Sequence, residues 1–274
     1  MRVRLDLGYD GAGFHGWAAQ PGLRTVQGEI TQALTRVLRT EVALTVAGRT
    51  DSGVHARGQV AHLDLDPAQL EHNNPNHSPY DALRRRVNGI LDPDVRIHRI
   101  SAAPAGFDAR FSAIWRRYCY RIGDQPEAQD PLTRGSVLFW PRLLDAELMN
   151  QAAEQLLGEH DFAAFCRRRE GATTIRTLID LNWERDAAGL LHGTVRADAF
   201  CHHMVRSLVG CLITIGEGRR PPHWASEVLA ARTRNSAVGV VAAHGLVLEE
   251  IGYPGDADLA EQATRSRVVR TLSV

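Results

Sequence analysis

The stretch Ala47-Gly48-Arg49-Thr50-Asp51-Ser52-Gly53-Val54-His55-Ala56-Arg57-Gly58-Gln59 joins two segments of strand character. Val42 to Val46 is the apolar run before it, and Gln59-Val60-Ala61-His62-Leu63-Asp64-Leu65 is the alternating run after it. Between them three glycines share a short loop with Arg49, Asp51, His55 and Arg57. Glycine lets a backbone turn tightly or approach a ligand, and a strand on each side holds such a loop in place. A carboxylate beside a guanidinium in this setting is a candidate reactive group. A loop aspartate also caps backbone N–H groups in many turns, and residue types alone leave both roles open.

Working outward, Val3, Leu5, Leu7 and Tyr9 alternate with Arg2, Arg4 and Asp6, the pattern of a half-buried strand. The glycines of Gly8 to Gly13 do not follow GxGxxG and no helix opens directly after them, which speaks against a dinucleotide loop. Thr25 is placed to cap a helix running to about Arg39, with Val26, Ile30, Leu34, Val37 and Leu38 on one stripe. Residues 66 to 79 form a polar, proline-containing excursion. Asp81 opens a second helix with Leu83, Val87 and Ile90, and Val95 to Ile100 alternates as a further strand. Strand, helix, strand, strand, helix, strand is the split βαβ order, an antiparallel sheet with helices on one face. The first α+β domain is expected to span residues 1–103, with Ala102-Ala103-Pro104 as its joint.

Residues 104–274 are expected to form a second α+β half. Arg116 to Ile122 reads as a strand with Tyr118, Tyr120 and Ile122 on one face. Asp145 caps a helix ending at Gly158, and Ile175–Trp183 with Leu190–Ala197 reads as a hairpin through Asp186 to Gly189. A long helix follows from His202 to Ile215, then a short one from Trp224 to Ala231 and a strand around Leu246 to Leu248. The expected fold class is α+β, two split βαβ-like halves with antiparallel sheets around a shared cleft.

At 274 residues, 44% hydrophobic and 23% charged, the chain has the composition of a soluble globular protein. It has no run that would cross a bilayer and no apolar leader after Met1, so a cytoplasmic location and no membrane association are expected. The four cysteines, Cys119, Cys166, Cys201 and Cys211, lack CxxC spacing and are expected to be reduced and partly buried. Adjacent His202 and His203 diverge on a helix, so Cys201-His202-His203 with Cys211 is a poor zinc set, and no metal is expected.

All 32 basic residues are arginines, matched by 32 acidic ones. The clusters Arg84-Arg85-Arg86, Arg116-Arg117, Arg167-Arg168-Arg169 and Arg219-Arg220 fit a nucleic-acid partner better than the neutral total suggests.

Gly48-Arg49-Thr50-Asp51-Ser52-Gly53-Val54-His55-Ala56, with Gly58-Gln59-Val60, closely resembles the signature of the tRNA pseudouridine synthase A family. Further blocks resemble the family in order along the chain. They are Tyr9-Asp10-Gly11 with Phe14-His15-Gly16-Trp17, Phe107 to Phe111, Arg117-Tyr118-Cys119-Tyr120, Phe200 to Arg206, and Gly245 to Leu248 with Tyr253. The resemblance implies an isomerase that turns uridine into pseudouridine at positions 38, 39 and 40 of the tRNA anticodon stem-loop, as a homodimer and without a nucleotide or other cofactor. It assigns the catalytic carboxylate to Asp51, its guanidinium partner to Arg206 and the ring that stacks on the target uracil to Tyr118. Arg49 would enter the space left by the flipped nucleotide, and Arg57, Arg110 and Arg117 would contact phosphate, as would Arg116. His55, close to Asp51 in sequence, is expected to make a structural hydrogen bond. The sequence departs from the family pattern at Val247, at Ala243-His244 and across Glu71 to Ser78, which bears on local loop shape.

Two other readings use the same residues. A non-catalytic RNA-binding module of the split βαβ kind would need exposed sheet aromatics and no Asp51 chemistry. A glycoside hydrolase would need a second carboxylate opposite Asp51, for which Asp108 and Asp198 are the candidates.

Overall fold

In the computed structural model, which describes residues 1–70, 78–167, 173–268 and 271, the chain divides into two compact units. The first holds residues 1–114 and 248–268, and the second residues 115–247. The first unit thus runs past the Ala102-Ala103-Pro104 stretch as far as Ile114, and the chain returns to it near the end.

The first unit begins with β1 (Arg2–Tyr9), whose Val3, Leu5 and Leu7 are fully buried. Thr25 accepts the Gly28 N–H and opens α1 (Val26–Leu38), which buries Val26, Ile30, Ala33, Leu34 and Val37 along one stripe. Next come β2 (Thr45–Val46), β3 (His55–Asp64), α2 (Pro79–Asn88) and β4 (Val95–Ala102). β1 pairs antiparallel with both β3 and β4, and β2 pairs antiparallel with β3, giving the order β4-β1-β3-β2. α1 lies against α2, and α2 against β4. Only Thr45 and Val46 of the expected Val42–Val46 strand pair, whereas β3 starts at His55, four residues before the alternating run. Ile90 lies beyond α2 and is exposed. Of the 66–79 excursion, Pro67–Leu70 forms a 3-10 turn and residues 71–77 lie outside the described residues.

The second unit opens with β5 (Trp115–Gly123), followed by β6 (Leu138–Phe139), α3 (Ala146–Glu154), β7 (Gly158–Asp161), β8 (Ile175–Arg185) and β9 (Leu191–Ala197). Its strands lie in the order β5-β9-β8-β7, all antiparallel, with β6 added parallel to β5. Asp145 accepts the Glu147 and Leu148 N–H groups and caps α3 as expected, but the helix stops at Glu154. Gly158, at φ 102°, opens β7 instead of ending the helix. The Asn150 amide exchanges two hydrogen bonds with the Trp183 backbone and pins α3 to β8. α4 (Met204–Gly216) is buried nearly all round and packs on α3, with Gly216 against Met149, and α5 (Trp224–Ala231) completes the layer.

β10 (Leu246–Gly252) carries the chain from the second unit back to the first, where it runs beside β3, and α6 (Leu259–Arg265) follows. The structure corrects the cysteine expectation for one pair. Cys166 and Cys201 form a disulfide with a Cα separation of 5.8 Å, whereas Cys119 and Cys211 are buried as thiols.

Candidate active site

The Asp51 loop belongs to the first unit and crosses from β2 to β3. Its tip is a tight turn in which the Val54 N–H donates to the Asp51 carbonyl at 3.1 Å, with Gly53 at φ 78°. Burial alternates along the approach: Arg49 is exposed, Thr50 buried and Asp51 half-buried. The Arg49 side chain therefore faces solvent and that of Asp51 partly so, while Thr50 points inward.

A second stretch, residues 10–17, grips this loop. The Trp17 N–H donates to the Thr50 carbonyl at 3.1 Å, and the Ser52 hydroxyl donates to the Phe14 carbonyl at 3.1 Å. The Gly11 N–H reaches His55 Nδ1 at 3.0 Å, and the Asp10 carboxylate lies 3.0 Å from the same nitrogen. Gly11 has no room for a side chain, since a β-carbon there would stand 2.1 Å from the Val54 carbonyl oxygen. Phe14 is itself clamped by Arg24, whose guanidinium lies 4.2 Å from its ring centroid and bonds the Asp94 carboxylate at 2.6 Å. His55 thus makes structural contacts with residues 10 and 11, as expected.

Two other arginines of this unit are engaged locally. Arg57 is exposed on β3 and lies 3.1 Å from the Glu249 carboxylate. Arg110 is exposed and places its guanidinium 4.9 Å from the Phe111 ring centroid.

In the second unit, Tyr118 lies on β5 opposite Val195 and is buried edge-on against Phe200, with ring centroids 5.1 Å apart at 89°. Arg117, next along the strand, is half-buried, and Arg116 donates to the Asp198 carbonyl at 2.6 Å. Arg206 sits in the first turn of α4, and its Nε donates to the Val241 carbonyl at 2.7 Å. The same 241–245 segment is held from another side. The Tyr120 hydroxyl donates to the Ala242 carbonyl at 2.8 Å, and Gly245 lies so close to that ring that a β-carbon on it would stand 2.7 Å from Tyr120 Cζ. Burial drives the Tyr120 pKa above the usual phenol range, with the Arg206 charge pulling the other way.

A profile described as tRNA pseudouridine synthase matches residues 152–254. A "tRNA pseudouridine synthase A" of Streptomyces griseus is 59% identical over 99% of this chain and 95% of its own length. Proteins of that name from Frankia casuarinae and Mycobacterium leprae are 56% and 47% identical over 98% and 99% of this chain, and 96% of each relative is covered. The chain belongs to the tRNA pseudouridine synthase A family. Among solved structures, one titled "Crystal structure of the archaeal box H/ACA sRNP Nop10-Cbf5 complex" overlaps 77% of this chain and 44% of its own at 12% identity. Its TM-score is 0.33, too slight a likeness to bear on the fold or the site.

In this tRNA pseudouridine synthase A family member, Asp51 stands on a loop locked by residues 10–17. Of the two carboxylates that a hydrolase reading names, each has one oxygen bonded to backbone amides. Asp108 Oδ1 accepts the Arg110 and Phe111 N–H groups, and Asp198 Oδ1 accepts those of Thr177 and Ala199. Cys201 is tied to Cys166, and burial pushes the Cys211 thiol up to about 12. His202 and His203 precede α4 and do not diverge on a helix: their ring centroids lie 4.0 Å apart. The sequence reading missed Phe200 as the partner of Tyr118, and Tyr9 and Gln59 as the buried support of the loop. The one available signal was a glutamine placed where a strand should turn inward.

Proposed function

We propose that this chain isomerises uridine to pseudouridine at positions 38, 39 and 40 of the tRNA anticodon stem-loop, with Asp51 as its catalytic carboxylate. Family membership supports the reaction. The observation that carries the residue assignment is the grip of residues 11–17 on residues 50–55, which presents a half-buried carboxylate from a fixed backbone. The chemistry suits one carboxylate. The N1–C1′ bond breaks, the uracil turns, and C5 bonds to C1′. The proton lost from C5 is balanced by one gained at N1, so no co-reactant is consumed. Attack at C6, attack at C1′ and removal of a sugar proton all require Asp51 ionised.

Arg206 supplies the guanidinium that favours this ionised state, and Tyr118 the ring on which the extruded uracil stacks. Arg49 enters the space left by that nucleotide, and Arg57, Arg110 and Arg117 contact phosphate. Three neighbouring target positions imply recognition of tRNA shape and of a bendable arm more than of base edges. The same reading takes the units as split βαβ folds, for which the β4-β1-β3-β2 order with α1 and α2 speaks in the first, and the enzyme as a cytoplasmic homodimer. Among the described residues no helix is long and apolar enough to cross a membrane.

The test is to treat unmodified tRNA transcripts with the protein and map pseudouridine by carbodiimide adducts and primer extension. New stops at the three positions support the reading, and unmodified transcripts that nonetheless bind favour the RNA-binding module.

A further inference from the structure

Beneath the Asp51 loop lies a buried chain of polar groups that the reaction as described does not use. The Tyr9 hydroxyl is 2.7 Å from Thr50 Oγ1, and Gln59 Nε2 donates to Tyr9 Oη at 3.2 Å and to the Gly48 carbonyl at 2.9 Å. All three side chains are hidden from solvent: Gln59 is 0% exposed, and Tyr9 and Thr50 are 6% exposed. Both amide protons of Gln59 are committed, so Tyr9 Oη accepts one of them while it shares a further hydrogen bond with the Thr50 hydroxyl. Gln59 Oε1 accepts the Val60 N–H at 3.2 Å, which fixes the amide's orientation. The Tyr9 ring packs against Trp17, with centroids 6.0 Å apart, and Trp17 holds the Thr50 carbonyl from the other side. Burial pushes the Tyr9 phenol up to about 12, so it remains neutral throughout the working range.

The consequence is geometric. One buried amide is linked to residue 48 through its carbonyl and to residue 50 through the Tyr9 hydroxyl, and these two residues flank Arg49. Asp51 comes immediately after the second anchor.

We propose that Tyr9, Thr50 and Gln59 are positioning residues for the reaction: through hydrogen bonds at Gly48 and Thr50 they fix the height and angle at which the loop presents Asp51 and Arg49. The proposal rests on the assignment of Asp51 as the catalytic carboxylate. A buried hydrogen-bonded network gives up more than one bond's worth of order when a member is lost, and small misplacements of a catalytic group are costly in rate.

The experiment measures single-turnover pseudouridine formation, tRNA binding and thermal unfolding for Tyr9→Phe, Thr50→Val, Thr50→Ser, the Tyr9→Phe/Thr50→Val double variant and Asp51→Asn. Tyr9→Phe and Thr50→Val are expected to lower the rate by about 10-fold or more while tRNA affinity stays within about twofold of wild type. Thr50→Ser, which keeps the hydroxyl, restores the rate, and the double variant is no slower than the worse single one. If Tyr9→Phe and Thr50→Val react at the wild-type rate while Asp51→Asn is inactive, the positioning role is wrong. It is equally wrong if Thr50→Ser is as slow as Thr50→Val, or if the rate losses merely follow losses of binding. An active Asp51→Asn overturns the Asp51 assignment instead, a separate result. Should Tyr9→Phe fail to fold, the Thr50→Ser and Thr50→Val pair decides the matter alone.

Discussion

Gly16 lies so close to Thr50 that a β-carbon on it would stand 3.0 Å from the Thr50 carbonyl oxygen, and its backbone is held at φ 88°. That positive φ and that approach belong to one arrangement: the chain turns at Gly16 so that the Trp17 N–H reaches the same carbonyl.

Replacing Gly16 with alanine meets both obstacles. Left-handed backbone strain of this kind costs on the order of 1–3 kcal/mol, and the contact moves the loop that carries Asp51. Gly16→Ala is expected to lose turnover out of proportion to its fall in melting temperature. Thermal unfolding and single-turnover rate, measured on the same preparation, check this.

Tyr118 depends on Phe200 for its seat. An edge-to-face pair contributes about 0.5–1.5 kcal/mol beyond its buried area. Phe200→Leu should therefore lower stability by about 1 kcal/mol and slow the reaction by letting the Tyr118 ring rock. Urea unfolding with a parallel rate measurement checks it, and an unchanged rate would mean that Tyr118 needs no support from Phe200.

Asp124 provides a pH-dependent test in the second unit. Its carboxylate accepts from Arg185 Nη1 and Nη2, at 2.6 and 2.8 Å, and from the Leu144 N–H at 2.8 Å. Burial pushes its pKa up, but Arg185 and the Leu144 amide outweigh this and hold it below the ordinary 3.8. A folded-state value below the unfolded one means that the contribution is fully present above about pH 4 and is lost as pH falls through the depressed value. Asp124→Asn is expected to cost about 3 kcal/mol at neutral pH, at the low end for a buried pair because Arg185 is partly exposed. The gap between wild type and variant should narrow in denaturant melts below about pH 4. A gap that stays constant into acid would contradict this account of the pair.

The legibility of the sequence follows the range of the forces involved. Local signals read well: the Thr25 and Asp145 caps hold, β5 buries Tyr118, Tyr120 and Ile122 as read, with Cys119 buried beside them, and α4 occupies nearly its expected span. Long-range pairing reads poorly. Nothing in Val42–Val46 tells that only its last two residues find a partner on β3, or that Gly158 opens a strand. The return of residues 248–268 to the first unit, where the Tyr253 hydroxyl donates to the Ala109 carbonyl at 2.7 Å, leaves no periodic trace. The same holds at the site. Asp51 is legible from its loop, but the Cys166–Cys201 bond and the meeting of Tyr9 with Gln59, fifty residues apart in the chain, depend on tertiary structure alone.

On the proposed assignment, Asp51 performs the isomerisation. Tritium release from C5-labelled uridine in an unmodified tRNA transcript follows the bond exchange itself. Wild-type protein should release tritium, and Asp51→Asn should bind the same transcript and release none. Release by Asp51→Asn at the wild-type rate would contradict the account, as would a wild-type protein that binds the transcript without releasing any.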